Sequence, residues 1–252
     1  MAVAAFPVIE SENGEALSRA EFDARVRFGD IPPGARWADG IVLLALPPGV
    51  DEEGRVLLRN GDRLDQEEFH RRYELCPELR RCELIEGVVY ISSPQRYSRH
   101  AAQQDALQYW LKTYTLGHPG LHSCGSVTVI LGRRNEPEPD AVLFRQSLGL
   151  ENANGYLRGP PDLVVEIAAS SRSRDYNQKM RAYAAAGIPE YIIWNVNGKA
   201  IDWFVLRAGV YERLLADSTG VIESPNFPGL RLDLAKALAG DLAGVIAALD
   251  GD

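Results

Sequence analysis

A glutamate stands inside a greasy run of this chain. Glu166 interrupts Leu163-Val164-Val165-Glu166-Ile167-Ala168, a stretch otherwise fit for a strand buried on both faces. A charged side chain in a dry strand costs several kcal/mol unless it is paired or bound to a cation. A second carboxylate, Asp140, opens the preceding strand in Glu136-Pro-Glu-Pro-Asp140-Ala-Val-Leu-Phe144. Adjacent strands can hold two such groups a few ångströms apart. Like charges that close repel, and one of them keeps its proton unless a cation sits between them. A hard divalent ion, Mg²⁺ or in its place Mn²⁺, suits this oxygen-rich pair. Lys179 then falls on the helix that leaves the Glu166 strand, with Asp175 one turn back. Two acids, a metal and a lysine are a set that hydrolyses phosphodiesters. The ion polarises the phosphoryl oxygen, and the ammonium stabilises developing charge.

Each residue also has a structural reading. Glu166 can pair with an arginine from a facing helix. Asp140, after Pro139, can be a turn residue. Lys179 and Asp175 can form an ordinary surface i,i+4 pair. What favours chemistry is that all three occur together, in that order.

The elements that must position them can be traced along the chain. Residues 64–75 read as a helix ended by Pro77, and 82–92 as a hairpin turning at Glu86-Gly87. Residues 98–114 form a helix with Ala106, Leu107, Trp110, Leu111 and Tyr114 on one stripe. Strands follow at 126–132, 139–144 and 162–168. A helix spans 174–187, with Tyr176, Met180 and Tyr183 as its apolar stripe and Gly187 then Pro189 as its stop. A buried strand covers 190–196, and 201–207 with 210–216 make a closing hairpin around Ala208-Gly209. One helix is expected from Leu232 to Leu249. From residue 98 the order is helix, three strands, helix, strand: an α/β fold with helices on a mixed sheet. Ahead of it, Ile41–Leu46 has strand length and residues 18–28 have helical spacing. We assign 1–61 to an accessory lobe and 62–252 to the main domain.

At 252 residues with 46% hydrophobic and 25% charged side chains, the chain has enough core to fold without staples, and neither disorder nor a coiled-coil rod fits. No apolar run is long enough to span a membrane, and the first residues lack the pattern of a secretory signal. Cys76, Cys82 and Cys124 are odd in number and form no CxxC pair, which points to reduced thiols in a cytoplasmic protein. His118 and His122 straddle Pro119-Gly120 and read as a loop, not as ligands. The net charge of −8 excludes a whole-chain basic footprint. The excess acid is concentrated early: residues 1–62 hold 11 acidic and 6 basic side chains, which leaves a local cationic surface feasible further on.

The segment PDLVVEIAASSRSRDYNQKMRAYAAAGIPEYIIWN resembles the signature of Uma2-type restriction-endonuclease-like proteins, of the PD-(D/E)xK nuclease fold superfamily. LDQEEFHRRYELCPELRRCELIEGVVYISSP, EPEPDAVLF and FPGLRLDL support it, so the resemblance covers about residues 62–235. It implies a restriction-endonuclease-like core in which Asp140 and Glu166 are metal ligands and the Ile167 carbonyl is a further one. In the superfamily's simplest pattern the lysine stands two residues after the acid. That position is Ala168 here, and Lys179 on the helix takes its place.

Glu83 and His100 match positions that the family often fills with the same residue types. The resemblance implies a further carboxylate near the metal and a group touching substrate. The competing readings are a hairpin salt bridge and a helix-start histidine. Arg133, Arg134, Arg172, Arg174 and Arg181 flank the acids and the lysine and suit phosphates, though a solvated charged surface reads the same way. The expected activity is a Mg²⁺-dependent DNA endonuclease, as a homodimer if both strands are cut. The rival is an inactive module of the same fold that binds nucleic acid or a protein. A two-carboxylate glycosidase would need a sugar cleft lined with aromatics and has no use for Lys179.

Overall fold

The structure, a computed structural model, describes residues 17–28, 31, 36–38, 41–43, 58–76, 79, 81–92, 100–145, 155–169 and 171–250. In chain order these form α1 (Arg19–Phe28), β1 (Arg36–Ala38), β2 (Ile41–Leu43), α2 (Gln66–Glu74), β3 (Cys82–Ile85), β4 (Val88–Ile91) and α3 (Ala101–Leu116). Strands β5 (Leu121–Cys124), β6 (Val129–Ile130), β7 (Ala141–Arg145), β8 (Leu157–Arg158) and β9 (Leu163–Ala168) follow. A continuous helical segment comes next: α4 (Arg172–Arg174), a π-turn (Asp175–Lys179) and α5 (Met180–Ala186). The chain then runs through β10 (Glu190–Asn195), β11 (Ala200–Arg207), β12 (Val210–Arg213), β13 (Val221–Glu223), β14 (Arg231–Asp233), α6 (Leu234–Ala239) and α7 (Leu242–Asp250).

Six strands make one mixed sheet in the order β12-β11-β10-β9-β7-β5. The β9–β10 pair is parallel and the others are antiparallel. This is the expected α/β core of helix, three strands, helix and strand. One strand differs from expectation. Residues 126–132 contribute only β6, which pairs with β8 in a separate two-stranded ribbon. The third strand of the core is β5, which carries His122; the expected loop is confined to the turn at Gly120, where φ is +91°.

Strand alternation divides the core into two faces. Leu163, Val165 and Ile167 of β9 point to one side, where Leu107, Trp110, Leu111 and Tyr114 of α3 pack with Trp203, Phe227 and α6–α7. Trp110 meets Trp203 edge to face at 5.8 Å. Val164 and Ala168 point to the other side, against Tyr183, Ile188, Tyr191 and Val129. Glu166 shares that second face. The β3–β4 hairpin lies there too, with Ile85, Val88 and Tyr90 against Ala182 of α5.

The hairpin turns where expected, with Glu86 at φ +52° and Gly87 at +78°, as two-residue turns between twisted strands require. Ala208-Gly209 does the same between β11 and β12. The tail differs from the single helix expected. Gly240 adopts φ +75° and ends α6, and Asp241 accepts from the Gly244 amide to start α7. Residues 221–233 hold the β13–β14 pair, which their sequence did not announce. Of the expected strand at 41–46, Ile41–Leu43 is β2, and the remainder lies outside the described residues, as do Pro77, Ser98 and Arg99. Leu17, Phe22, Ile31 and Val42 form a small cluster of their own with Trp37. Among the described residues no helix is long and apolar enough to cross a membrane.

Candidate active site

The β7–β9 register pairs Ala141 with Val165, so one step further Asp140 stands opposite Glu166. Directly opposed residues of an antiparallel pair project to the same face. Backbone bonds hold the placement: the Asp140 amide donates to the Val165 carbonyl at 3.1 Å, and the Ile167 amide donates to Asp140 Oδ2 at 2.7 Å. Asp140 is therefore no simple turn residue. Its side chain continues the ladder where its main chain bends away.

Asp140 Oδ1 also accepts from Arg81 at 2.9 Å, and His100 Nε2 lies 3.2 Å from Oδ2. Its carbonyl takes the amides of Gln104 and Gln108, both from α3, at 3.0 and 2.9 Å. Gly125 makes room for this. A Cβ there would lie 1.6 Å from Gln108 Nε2 and 2.8 Å from the Asp140 oxygen.

Glu166 is buried on the same face, and its partner is not an arginine. Lys179 Nζ donates to Oε1 at 2.8 Å, and the Tyr183 hydroxyl donates to the same oxygen at 2.6 Å. Lys179 also lies 2.6 Å from Glu83 Oε1, which accepts the Glu138 amide as well. Asp175, 4.0 Å from Lys179, is buried too, so this is no surface pair. The ammonium is thus fixed between β3 and β9.

The helix delivers these groups because its buried face is polar. Asp175, Gln178, Lys179, Ala182 and Tyr183 recur at helical spacing and are buried, whereas Tyr176 and Met180 of the expected apolar stripe are only half-buried. The π-turn at Asp175–Lys179 supplies the local rotation at this point, a feature that often marks functional sites.

The sequence-predicted residues separate into two groups. Asp140, Glu166, Lys179, Glu83 and His100 come together, and the Ile167 amide joins them. Arg174 also enters this cluster: at 8% exposure it is buried, 3.7 Å from Glu83 and over the ring of Tyr90, so it does not face solvent with the other arginines. Arg133, Arg134, Arg172 and Arg181 are exposed. Arg134 and Arg181 converge on Glu86 at the hairpin tip, and Arg172 lies over Tyr176. Sequence reasoning missed Arg81, Glu138 and Tyr183. Arg81 precedes Glu83 by two residues, and Tyr183 lies four after Lys179; both spacings were available as signals.

Charge tests whether a divalent cation fits. One connected buried network contains Glu83, Glu138, Asp140, Glu166 and Asp175 against Arg81, Arg174 and Lys179. With every acid ionised and His100 neutral, five carboxylates against three cations leave two negative charges over, the charge a Mg²⁺ ion would neutralise. The acids show the shortfall. Burial, with Asp175, Asp140 and Glu83 nearby, pushes Glu166 up to about 8 despite Lys179. Burial likewise raises Glu138 to about 7 despite Arg81. Burial would raise Asp140 as well, but the His100 hydrogen bond and the Arg81 charge hold it below the usual carboxylate range. Burial would depress Lys179, but Glu166, Glu83 and Asp175 outweigh it and keep it an ammonium.

Paired carboxylates are the kind of donor that suits a hard cation such as Mg²⁺. Both hydrogen bonds from described residues to Glu166 fall on Oε1, which leaves Oε2 for an ion. Among the described residues no three His, Cys, Asp or Glu side chains converge on one point. A site of two carboxylates, completed by waters and substrate oxygens, is how Mg²⁺ is usually held.

No curated protein matches the chain. A crystal structure described as a "putative nuclease belonging to DUF820", from Anabaena variabilis, aligns with a TM-score of 0.55 at 17% identity, covering 68% of this chain and 97% of that one. That likeness shows a shared fold. Residues 66–235 match the model of the family described as "Putative restriction endonuclease", and the chain belongs to that family, Uma2.

Proposed function

We propose that this chain is a Mg²⁺-dependent DNA endonuclease, with Mn²⁺ as an alternative ion. One observation carries the reading: Asp140 and Glu166 oppose each other across β7–β9 in a buried network two positive charges short. Family membership supports the reaction class.

Asp140, Glu166 and the Ile167 carbonyl would hold the ion. When bound, it supplies Lewis-acid polarisation of the scissile phosphate. Lys179, kept cationic by the three acids around it, stabilises charge that develops on the phosphate oxygens. Glu83 is a positioning residue that holds the ammonium at 2.6 Å. His100, at the mouth of the cluster on α3, is placed to contact substrate or orient a water. The exposed Arg133, Arg134, Arg172 and Arg181 would hold flanking phosphates.

A second reading has its own observation. Arg81 and the Ile167 amide already engage both oxygens of Asp140, as they would in a metal-free module that only binds nucleic acid or protein. Plasmid cleavage in Mg²⁺ decides between them. Purified protein should nick or linearise the plasmid, and Asp140→Ala or Glu166→Ala should each lower the rate by at least about 100-fold. Equal cleavage by both variants would remove the assignment. Absence of calorimetric Mg²⁺ or Mn²⁺ uptake at millimolar concentrations, with DNA still bound, would establish the module.

A further inference from the structure

We infer that the outer face of α3 pairs with a second copy of this chain, antiparallel about a two-fold axis. This goes beyond the catalytic reading and does not depend on it.

The inner face of α3 is committed. Gln104, Leu107, Trp110, Leu111 and Tyr114 are buried against the sheet, which fixes the rotation of the helix. The outward positions are Asp105, Tyr109, Lys112 and Leu116. Their separations of four, three and four residues make one straight stripe with the period of a helix–helix seam. Two large apolar groups stand on this stripe, Tyr109 at 56% exposure and Leu116 at 78%. Among the described residues no ion pair engages Asp105 or Lys112.

The stripe complements itself. A two-fold axis crossing the helix between Gln108 and Tyr109 sets Asp105 against the partner's Lys112, and Lys112 against the partner's Asp105. The two Tyr109 rings flank the axis. Leu116 falls on the partner's Ala101, a small residue that leaves a hole for it. A parallel pairing would instead oppose like charges at Asp105 and at Lys112, so charge selects the antiparallel arrangement. His100 lies at the start of α3, so the two clusters of the pair would sit about 25 Å apart along the helices, from 1.5 Å rise per residue. One helix per subunit is a small contact, at the weak end of specific interfaces.

Sedimentation velocity of the full chain over a concentration series tests this. The wild-type protein should show reversible monomer–dimer exchange at tens of micromolar. Asp105→Lys and Lys112→Asp should each weaken self-association by at least about tenfold. An equimolar mixture of the two variants should recover it, because each then faces the opposite charge. Leu116→Glu should weaken it without a charge rescue. All these positions are exposed, and recovery in the mixture itself shows that both variants are folded. A wild-type chain that stays monomeric, a dimer unchanged in both single variants, or a mixture no better than its components would overturn the inference.

Discussion

Lys179 Nζ rests 2.8 Å from Glu166 Oε1, although a loop and most of two helical turns separate the residues in sequence. The same ammonium reaches Glu83 at 2.6 Å, so one cation joins the hairpin, the sheet and the helix. The site is also a structural joint, and substitutions in it will be read in stability as well as in turnover.

Lys179→Met tests both roles. It leaves Glu83 and Glu166 buried without their shared cation, a loss of about 3–5 kcal/mol when one partner of a buried pair is removed. Adding Glu166→Gln should recover part of that loss in urea denaturation above about pH 8, where Glu166 would otherwise carry an uncompensated charge. Neither variant should cleave plasmid. A double variant as unstable as the single one would show that Lys179 acts through something other than Glu166.

The protonation of Glu166 predicts a pH dependence with a definite sign. Its folded pKa, about 8, lies above the ordinary 4.5, so folding favours the protonated acid. That contribution is complete below about 4.5 and is lost as pH rises through about 8. With chelator present, the melting temperature should fall across pH 5–8, and Glu166→Gln should flatten the slope. Mg²⁺ replaces the proton, so the melting-temperature gain on adding Mg²⁺ should grow over the same range. A gain independent of pH would place the ion elsewhere.

Tyr183 donates to the oxygen of Glu166 that Lys179 also uses, and thereby aims the other oxygen. Tyr183→Phe keeps the ring in its apolar cluster and removes only that bond. Mg²⁺ affinity by calorimetry should weaken about 10–100-fold, the usual cost of losing a group that orients a ligand. Unchanged affinity would mean that the hydroxyl does not orient the carboxylate.

The arginines should separate by burial. Arg134→Ala and Arg181→Ala should weaken DNA binding and lower the slope of log affinity against log salt by about one for each phosphate no longer neutralised. Arg174→Ala should instead lower the melting temperature, because it strips a buried partner from Glu83. Equal salt slopes for wild type and the Arg134 and Arg181 variants would exclude those residues from the DNA path.

Local patterns in the sequence determined much of this protein. The near-continuous apolar run that makes β9 a buried strand, the two tight hairpin turns, the apolar stripe of α3 and the Gly187 stop each follow from a few neighbouring residues, because backbone sterics and periodicity act over that range. Glu166 stood out for the same reason: a charge in an apolar strand violates a local rule. Other features depended on parts of the chain that are distant in sequence. The four-residue β5 has no telling alternation, and only its pairing with β7 makes it the edge of the sheet. Arg81 reads as one arginine among many until the fold sets it 2.9 Å from Asp140, fifty-nine residues on. Tyr183 reads as core until its hydroxyl meets Glu166, and Arg174 reads as surface until the hairpin covers it. Sequence shows which residues are out of place in their own segment. Which charges neutralise one another is decided by elements that meet only after folding, since electrostatic energy depends on distance in space and not along the chain.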